Sequence, residues 1–229
     1  MDWKIRIKNT VSRYNPLAVR RRERMRAELK NRDFSLICPN CLGGMLLHDL
    51  NMPFLSPTVN LMLNQRDFVR FVMDLPYYTQ QELRFYDDPA FSCPCAKLGE
   101  PGKAVTIHFT HYPDRQSAKT SWNKRIPRIN YQNLFILAAE RDGLTEQEIL
   151  RLGELKARGV LVFTAKKYPD IPYTCFLPDY EKDGQVGNIL VRSYLNDKKD
   201  YEKYFDFVRW FNEADGAPFD VSNFIIKKG

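Results

Sequence analysis

The segment around Cys41 combines the residue types of a nucleophilic site. Cys41 follows an apolar, strand-like run over residues 34–38, and Gly43 and Gly44 come directly after it. A strand that leads through a Gly-rich turn into a helix brings backbone N–H groups up to a ligand. A thiol at that position can act as a nucleophile, and a histidine can serve as its general base. The segment therefore predicts a site for group-transfer chemistry with Cys41 as the catalytic thiol.

Two histidines in the β-rich segment 105–112 are candidates for the base. If the strand continues through His111, alternation points His108 and His111 to opposite faces, so only one of them can face the site. His111 is nearer the strand end and is the predicted catalytic base. We place His108 and the neighbouring Tyr112 among the substrate-binding residues. A hydrogen-bonded structural role is the alternative for either histidine.

The other cysteines suggest two further kinds of chemistry. Cys38-x-x-Cys41 and Cys93-x-Cys95 together supply four thiolates, which is enough for a tetrahedral zinc site. The long separation of the two pairs and the single residue inside the second pair argue against it. A Cys-Pro-Asn-Cys pair at a helix start also fits thiol–disulfide exchange, but no thioredoxin-like neighbourhood follows it. We expect no metal, and we favour the transfer site.

Polar groups elsewhere in the chain extend the predicted site. Two arginines beside an aromatic residue, in the segment 122–130, can hold the phosphate or carboxylate of a coenzyme A thioester or a sugar nucleotide. The alternatives are ion pairs for the arginines and turn chemistry for the Ser-Pro-Thr segment at 56–58. The predicted substrate-binding residues are Asn40, Gly43, Gly44, Ser56, Thr58, Asn60, His108, Tyr112, Trp122, Arg125, Arg128 and Asn130.

Strand and helix signals alternate along the chain, and this predicts an α/β fold. The predicted architecture is a three-layer α/β/α sandwich with a mostly parallel, Rossmann-like sheet. Ligands bind at the carboxyl ends of the strands in such sheets, so we expect the Cys41 turn and the His111 segment to converge. Residues 86–103 are rich in Pro, Gly and Asp and predict a loop. The predicted strands are 34–38, 105–112, 133–139, 160–164, 173–177 and 187–191, and the predicted helices start near residues 16, 43, 65, 115, 146 and 198.

Composition and charge limit the class of protein and its partners. The 229 residues are 44% hydrophobic, which fits one globular domain, and no apolar run approaches the ~18 residues of a spanning helix. Residues 1–32 carry eleven Lys/Arg against three acidic residues, whereas the remainder is close to neutral. We therefore divide the chain into a basic N-terminal helical segment, 1–32, and a single α/β domain, 33–229.

The basic segment also bears on location and partners. It can contact an anionic membrane, although a solvated helix is the simpler interpretation. Nucleic-acid binding is not expected, because no basic groove with interleaved aromatic residues is present. The odd number of cysteines and the lack of a secretory signal predict a cytoplasmic protein, with peripheral attachment to the inner face of the membrane as an extension.

Several short motifs occur in an order that resembles a known family. This order is similar to an uncharacterised bacterial family, a domain of unknown function associated with exopolysaccharide biosynthesis. The resemblance implies an α/β fold and a link to surface-polysaccharide assembly, but no established reaction. It also implies that Cys38, Cys93 and Cys95 are peculiar to this chain, since the first motif and the segment before the His strand depart from the family pattern here. The motifs are Asn40-Cys41-x-Gly43-Gly44, Ser56-Pro57-Thr58, His108-Phe109-x-His111-Tyr112, Trp122-x-x-Arg125 and Arg128-Ile129-Asn130.

The combined prediction is a transferase that acts on a glycan precursor or another small molecule, with acyl transfer favoured. Glycosyl transfer is the alternative within this class, and Asp87-Asp88 does not supply the Asp-x-Asp motif of metal-dependent nucleotide-sugar enzymes. A different class is also compatible with the sequence. In that class the chain is a non-catalytic binding or assembly component of a polysaccharide machine, docked through residues 1–32.

Overall fold

The computed structural model describes residues 15–190 and 198–226. Residues 1–14 of the predicted basic segment and residue 191 of the predicted strand 187–191 lie outside these ranges. The α-helices and strands, in chain order, are α1 (Pro16–Glu28), β1 (Ser35–Ile37), α2 (Cys41–Asp49), α3 (Gln65–Met73), α4 (Leu75–Thr79), β2 (Arg84–Tyr86), β3 (Cys95–Leu98), β4 (Val105–His108), α5 (Arg115–Arg125), β5 (Leu134–Ala139), α6 (Glu146–Leu152), β6 (Gly159–Thr164), β7 (Thr174–Phe176) and α7 (Phe207–Glu213).

Four strands form a parallel sheet in the order β1-β5-β6-β7. Its register pairs Ile37 with Ile136, Ile136 with Val160, and Val162 with Thr174. Every residue of β5 and β6 is buried, as expected for strands covered on both faces of a parallel sheet. The predicted α/β class and a parallel sheet built from these apolar runs are confirmed.

Three further strands form a separate antiparallel sheet in the order β2-β3-β4. The prediction of one mostly parallel sheet was wrong on this point, because β4 pairs with β3 and not with a strand of the parallel sheet. Residues 86–103, predicted as a loop, contain β3. That strand has four residues between Pro94 and Gly99, so its local signals favour a loop, and its pairing with β2 on one edge and β4 on the other makes it a strand.

Capping explains where several helices begin. Asn15, Asn64 and Asp114 each accept a hydrogen bond from a first-turn N–H, and Thr145 with Glu148 forms the predicted capping box of α6. The helix predicted over 198–212 is interrupted, because Asp206 caps a new helix, α7, after a short 3₁₀ turn at Asp200–Lys203. Residues 187–190 form no strand.

Helix α1 is fixed to the rest of the protein by ion pairs. Arg21 lies 3.3 Å from Asp49 and also pairs with Glu202, and the Nε–H of Arg26 donates to the Asp49 carbonyl oxygen at 2.8 Å. Burial favours a raised pKa for the Asp49 carboxyl, but Lys199 and Arg21 outweigh it and the pKa is lowered. Part of the basic face of α1 therefore packs on the protein, across the predicted boundary at residue 32.

Within the described residues, no helix has the length and apolar character needed to span a bilayer.

Candidate functional site

The structure brings the predicted nucleophile and the predicted base into direct contact. Cys41 is the first residue of α2, and His111 lies in the turn that follows β4. The Cys41 Sγ atom is 3.0 Å from Nε2 of His111. This separation falls within the range at which a nucleophile can pass its proton to a base. The pair therefore joins the helix that follows β1 to the turn that follows β4, although His111 does not follow a strand of the parallel sheet as predicted.

The surroundings of Cys41 make a base necessary. The side chain is half-buried, and burial raises the pKa of the Cys41 thiol, while a hydrogen bond with the Thr110 side chain partly opposes this rise. A thiol of raised pKa is mostly protonated near neutral pH, so it needs a partner that accepts its proton. His111 is exposed and in hydrogen-bond contact with the sulfur. The positive end of α2 also favours a thiolate at its first position.

Buried hydroxyl groups hold the turn that precedes Cys41. The Thr58 Oγ1 atom accepts a hydrogen bond from the backbone N–H of Cys38 at 3.2 Å, and Ser56 Oγ lies 2.9 Å from the same oxygen. Asn40 caps α2, since its Oδ1 accepts from the Leu42 N–H at 3.0 Å. Ser56 and Thr58 are buried, so these two predicted substrate-binding residues position the Cys41 turn.

The two glycines of α2 allow close packing on both sides of the helix. A side chain at Gly43 would place its Cβ 2.8 Å from the Cβ of Cys38. A Cβ at Gly44 would lie 3.3 Å from Val59 Cγ1 and 3.6 Å from Asn60 Oδ1. Asn60 has a φ of 65°, a left-handed conformation that asparagine tolerates better than most residues. These glycines therefore serve the approach of α2 to neighbouring segments.

A small hydrogen-bond network anchors the turn that carries His111. The Tyr112 hydroxyl donates to the Val59 carbonyl oxygen at 3.2 Å. Nη1 of Arg125 donates to the same carbonyl at 3.1 Å and to the Tyr112 oxygen at 2.6 Å. The Arg125 guanidinium also lies over the Phe54 ring at 5.5 Å. Because Val59 packs against Gly44 of α2, this network links the His111 turn to the Cys41 helix.

Three of the predicted substrate-binding residues lie apart from this network. Trp122 is only 1% exposed and packs in the core against Phe71 and Phe109, so it presents no surface to a ligand. Asn130 lies beside Asp33, before the start of β1, whereas Cys41 follows its end. Arg128 is exposed in a 3₁₀ turn, Ile126–Arg128, that follows α5. Helical spacing suggested that Trp122 and Arg125 share a face, but only Arg125 reaches the Tyr112 network.

The second histidine pairs with a different cysteine. His108 lies directly opposite Cys95 in the β3–β4 ladder, and its Nδ1 atom is 3.4 Å from Cys95 Sγ. Both side chains are buried. Burial lowers the pKa of His108 and raises the pKa of Cys95 to about 11, with the neighbouring Cys93 adding to that rise. His108 was predicted to bind substrate, and the structure places it inside the protein.

Sequence reasoning missed several contributors to these two pairs. Thr110 contacts the Cys41 sulfur, and its only signal is its place directly before His111. Val59 supplies its carbonyl oxygen, which no side-chain pattern can indicate. All five cysteines carry free thiols. The four cysteines of the zinc alternative do not gather at one point, because Cys41 contacts His111 and Cys95 contacts His108.

A cavity of about 1140 Å³ opens elsewhere, near the amino ends of β5 and β6. Leu134 and Arg158 line it, and none of the predicted site residues does. Ligands of parallel sheets bind at the opposite, carboxyl ends of the strands. Its lining includes no cysteine or histidine. Despite its size, we therefore do not take this cavity as the candidate active site.

Comparison with known proteins places the chain in a family. Residues 13–212 match a domain of unknown function, DUF1919. The chain belongs to the DUF1919 family. An uncharacterized protein of Haemophilus influenzae is 37% identical over 209 residues, which cover 91% of this chain and 98% of that relative. The DUF1919 match includes α1, the Cys41 turn and His111, so it spans both the predicted basic segment and the predicted α/β domain.

Proposed function

We propose that this DUF1919 protein is an acyltransferase that carries the acyl group on Cys41, with His111 as the general base. The contact of 3.0 Å between Cys41 Sγ and His111 Nε2 carries the proposal. A half-buried thiol at a helix start, in contact with an exposed imidazole, has the arrangement of an activated nucleophile. The pairing joins two segments separated by seventy residues of sequence.

The proposed reaction has two steps, and both use the Cys41 sulfur and Nε2 of His111. The Cys41 proton moves to Nε2 of His111, and the sulfur attacks the carbonyl carbon of a thioester. The thiol of the donor leaves with the proton from His111, and a new thioester on Cys41 remains. His111 then takes the proton of an acceptor hydroxyl, whose oxygen attacks the Cys41 thioester, and the Cys41 thiolate leaves and is reprotonated. General-base assistance of this kind contributes about 10²–10⁴-fold.

Arg125 supports the choice of a phosphate-bearing donor such as coenzyme A. A guanidinium has five N–H donors. The two hydrogen bonds that Arg125 makes to Val59 and Tyr112 both use Nη1. Its remaining donors suit the fork geometry of a phosphate group. Arg125 is therefore the residue we assign to the anionic end of the donor, whereas Arg128, the second arginine predicted for this role, lies apart from the Tyr112 network.

The order of the short motifs resembles that of a family associated with exopolysaccharide biosynthesis, and this resemblance suggests a glycan as the acceptor. We propose a hydroxyl group of a cell-surface glycan precursor as the acceptor. The alternative of a non-catalytic component docked through residues 1–32 draws less support from the contacts of α1. Arg21 and Arg26 of that helix bind Asp49, and this leaves fewer of its charges for an anionic membrane.

The experiment is acyl labelling of the full chain in the absence of an acceptor. The protein is incubated with acetyl-coenzyme A and with longer acyl-coenzyme A thioesters, and intact mass spectrometry detects the adduct. We expect one acyl group per chain, mapped to Cys41 and removed by hydroxylamine. The variant Cys41→Ala should carry no adduct, and His111→Ala should label about 10²–10⁴-fold more slowly.

Cys175→Ala is the matched control, since Cys175 is a buried thiol in β7 away from the pair. It should label like the wild type. Absence of a Cys41 adduct with every thioester, or equal labelling of wild type and His111→Ala, would contradict the proposal. Release of a nucleoside diphosphate from a sugar nucleotide without any acyl adduct would support glycosyl transfer in its place.

A further inference from the structure

We propose that Cys93, Cys95 and His108 form a binding site for a thiophilic divalent transition-metal ion, with Zn²⁺ as its occupant. The two sulfur atoms and one ring nitrogen all lie within 4.8 Å of one another. Among residues 15–190 and 198–226, no other group of three such side chains converges in this way. This site is separate from the Cys41–His111 pair and does not depend on the proposed acyl transfer.

The antiparallel ladder sets the position of two of the ligands. Cys95 and His108 are directly opposite each other in the β3–β4 register, so their side chains emerge on the same face of the sheet. A tetrahedral zinc ion with ordinary bond lengths places a thiolate sulfur and an imidazole nitrogen about 3.6 Å apart. The observed distance from Cys95 Sγ to His108 Nδ1 is 3.4 Å. The two atoms therefore need little movement to share an ion.

Backbone contacts keep the third ligand close to the other two. Cys93 lies two residues before Cys95, and the carbonyl oxygen of the intervening Pro94 accepts from the Phe109 N–H at 2.9 Å. On the other edge of β4, Met62 exchanges two backbone hydrogen bonds with His108, at 2.7 and 2.9 Å. The end of β4, which carries His108, is thus hydrogen-bonded on both edges before any ion binds. This lowers the entropy cost of ordering the ligands around an ion.

The surroundings of the three ligands suit a cation that is shielded from solvent. Cys95 and His108 are buried, and Cys93 is half-buried. The Phe91 ring packs against the His108 ring at a tilt of 34°, with centroids 4.0 Å apart. The Asp88 carboxylate acts electrostatically on both Cys95 and His108, so the local charge favours a positive ion. Two thiolates and one imidazole form a donor set typical of zinc, with a fourth position left for water.

The ion would fix the end of the strand that leads to His111. His108 is the last residue of β4, and His111 follows it by three residues. Cys93 belongs to the loop between β2 and β3, so an ion shared by the three ligands ties this loop to β4. Metal binding is therefore expected to raise the stability of the antiparallel sheet, because the folded chain holds the ion and the unfolded chain does not.

The test is metal binding by the purified full-length chain. After chelator treatment, Co²⁺ is titrated into the reduced protein and its absorption is recorded. We expect one Co²⁺ per chain, the intense visible bands of tetrahedral cobalt and a thiolate-to-cobalt charge-transfer band, all displaced by Zn²⁺. Cys93→Ser should weaken binding by about 100-fold or more, because it removes a thiolate ligand from a half-buried position that tolerates serine.

Two matched variants separate this site from the other thiols. Cys41→Ser and Cys175→Ser should keep both the stoichiometry and the charge-transfer band, and circular dichroism confirms that each variant is folded. If the wild type binds no Co²⁺ at equimolar concentration, or binds it without a thiolate band, the proposal is wrong. It is equally wrong if Cys93→Ser leaves the band intact while Cys41→Ser removes it.

Discussion

Two histidines three residues apart each contact a cysteine, and the two pairs have opposite surroundings. His111 is exposed in a turn and contacts Cys41 at the start of a helix. His108 is buried at the end of β4 and contacts Cys95 across an antiparallel ladder. The same two residue types thus occur once in a pair that reaches the protein surface and once in a pair that is buried.

The difference between the two pairs shows how surroundings select chemistry. A reacting thiol needs access for its substrate and a base for its proton, and the Cys41–His111 pair provides both. A bound metal ion needs several ligand atoms held close together. The Cys93 sulfur supplies a third ligand atom within 4.8 Å of those of Cys95 and His108. We therefore expect the two pairs to differ in the reactivity of their thiols and in their contribution to stability.

The largest expected difference is in the reactivity of the two thiols. In native, metal-free protein, we expect iodoacetamide to modify Cys41 at least about 100-fold faster than Cys95, because a fully buried thiol reacts only after local opening. Peptide mapping by mass spectrometry over time measures both rates in one sample. In denaturant the two rates should become similar. Equal rates in the native protein would remove the distinction between the pairs.

The two histidines should differ in their contribution to stability. His108→Ala removes a buried ring that packs against Phe91, so we expect the free energy of unfolding to fall by about 2–3 kcal/mol. His111→Ala changes an exposed residue and should alter it by about 0.5 kcal/mol or less. Urea denaturation with a chelator present gives both values without a contribution from metal. A larger loss for His111→Ala would show that His111 is a structural residue.

Crowding the Cys41 helix should disturb one pair and spare the other. Gly43→Ala places a Cβ 2.8 Å from Cys38 Cβ, so we expect a loss of about 1–2 kcal/mol and slower alkylation of Cys41. Gly44→Ala should lower the stability less than Gly43→Ala, because Val59 Cγ1 at 3.3 Å can shift and alanine favours a helix. Co²⁺ affinity should stay the same in both variants. A change in that affinity would mean that the two sites are coupled.

The smallest effect is expected at the network that anchors the His111 turn. Tyr112→Phe removes the hydroxyl that bridges Val59 and Arg125, and we expect a loss of about 1 kcal/mol with a few-fold slower alkylation of Cys41. Tyr131→Phe is the control, since that hydroxyl lies 3.2 Å from Thr79 Oγ1 and outside the Tyr112 network. If both variants alkylate at the same rate, the Tyr112 network does not position His111.

The amino-acid sequence was sufficient to predict the local parts of this molecule. The apolar runs of β5 and β6 and the capping residues Asn64 and Thr145 produce the predicted elements, because their signals lie within a few residues of one another. The predicted approach of His111 to Cys41 is also found, but the rule that led to it concerned parallel strands, and His111 follows a strand of the antiparallel sheet.

The rest depends on contacts between distant residues. Strand β3 exists because β2 and β4 pair with its two edges, so a Pro- and Gly-rich segment that resembles a loop became a strand. The cysteine spacing suggested Cys38 and Cys41 as partners of Cys93 and Cys95. The structure instead places His108 beside them, because the register of β3 and β4 puts it opposite Cys95. Trp122 was assigned by helical spacing, which does not show whether a face is turned to the core or to a ligand.

The pH dependence of Cys41 alkylation shows whether Cys41 and His111 work as a pair, and it needs no knowledge of the substrate. Burial raises the pKa of the Cys41 thiol, so without a base its reaction rate should fall about tenfold per pH unit below that pKa. We predict that wild-type protein reacts substantially faster than His111→Ala between pH 6 and 8, with a flatter profile, because His111 accepts the proton. Superimposable profiles for the two proteins would contradict the account.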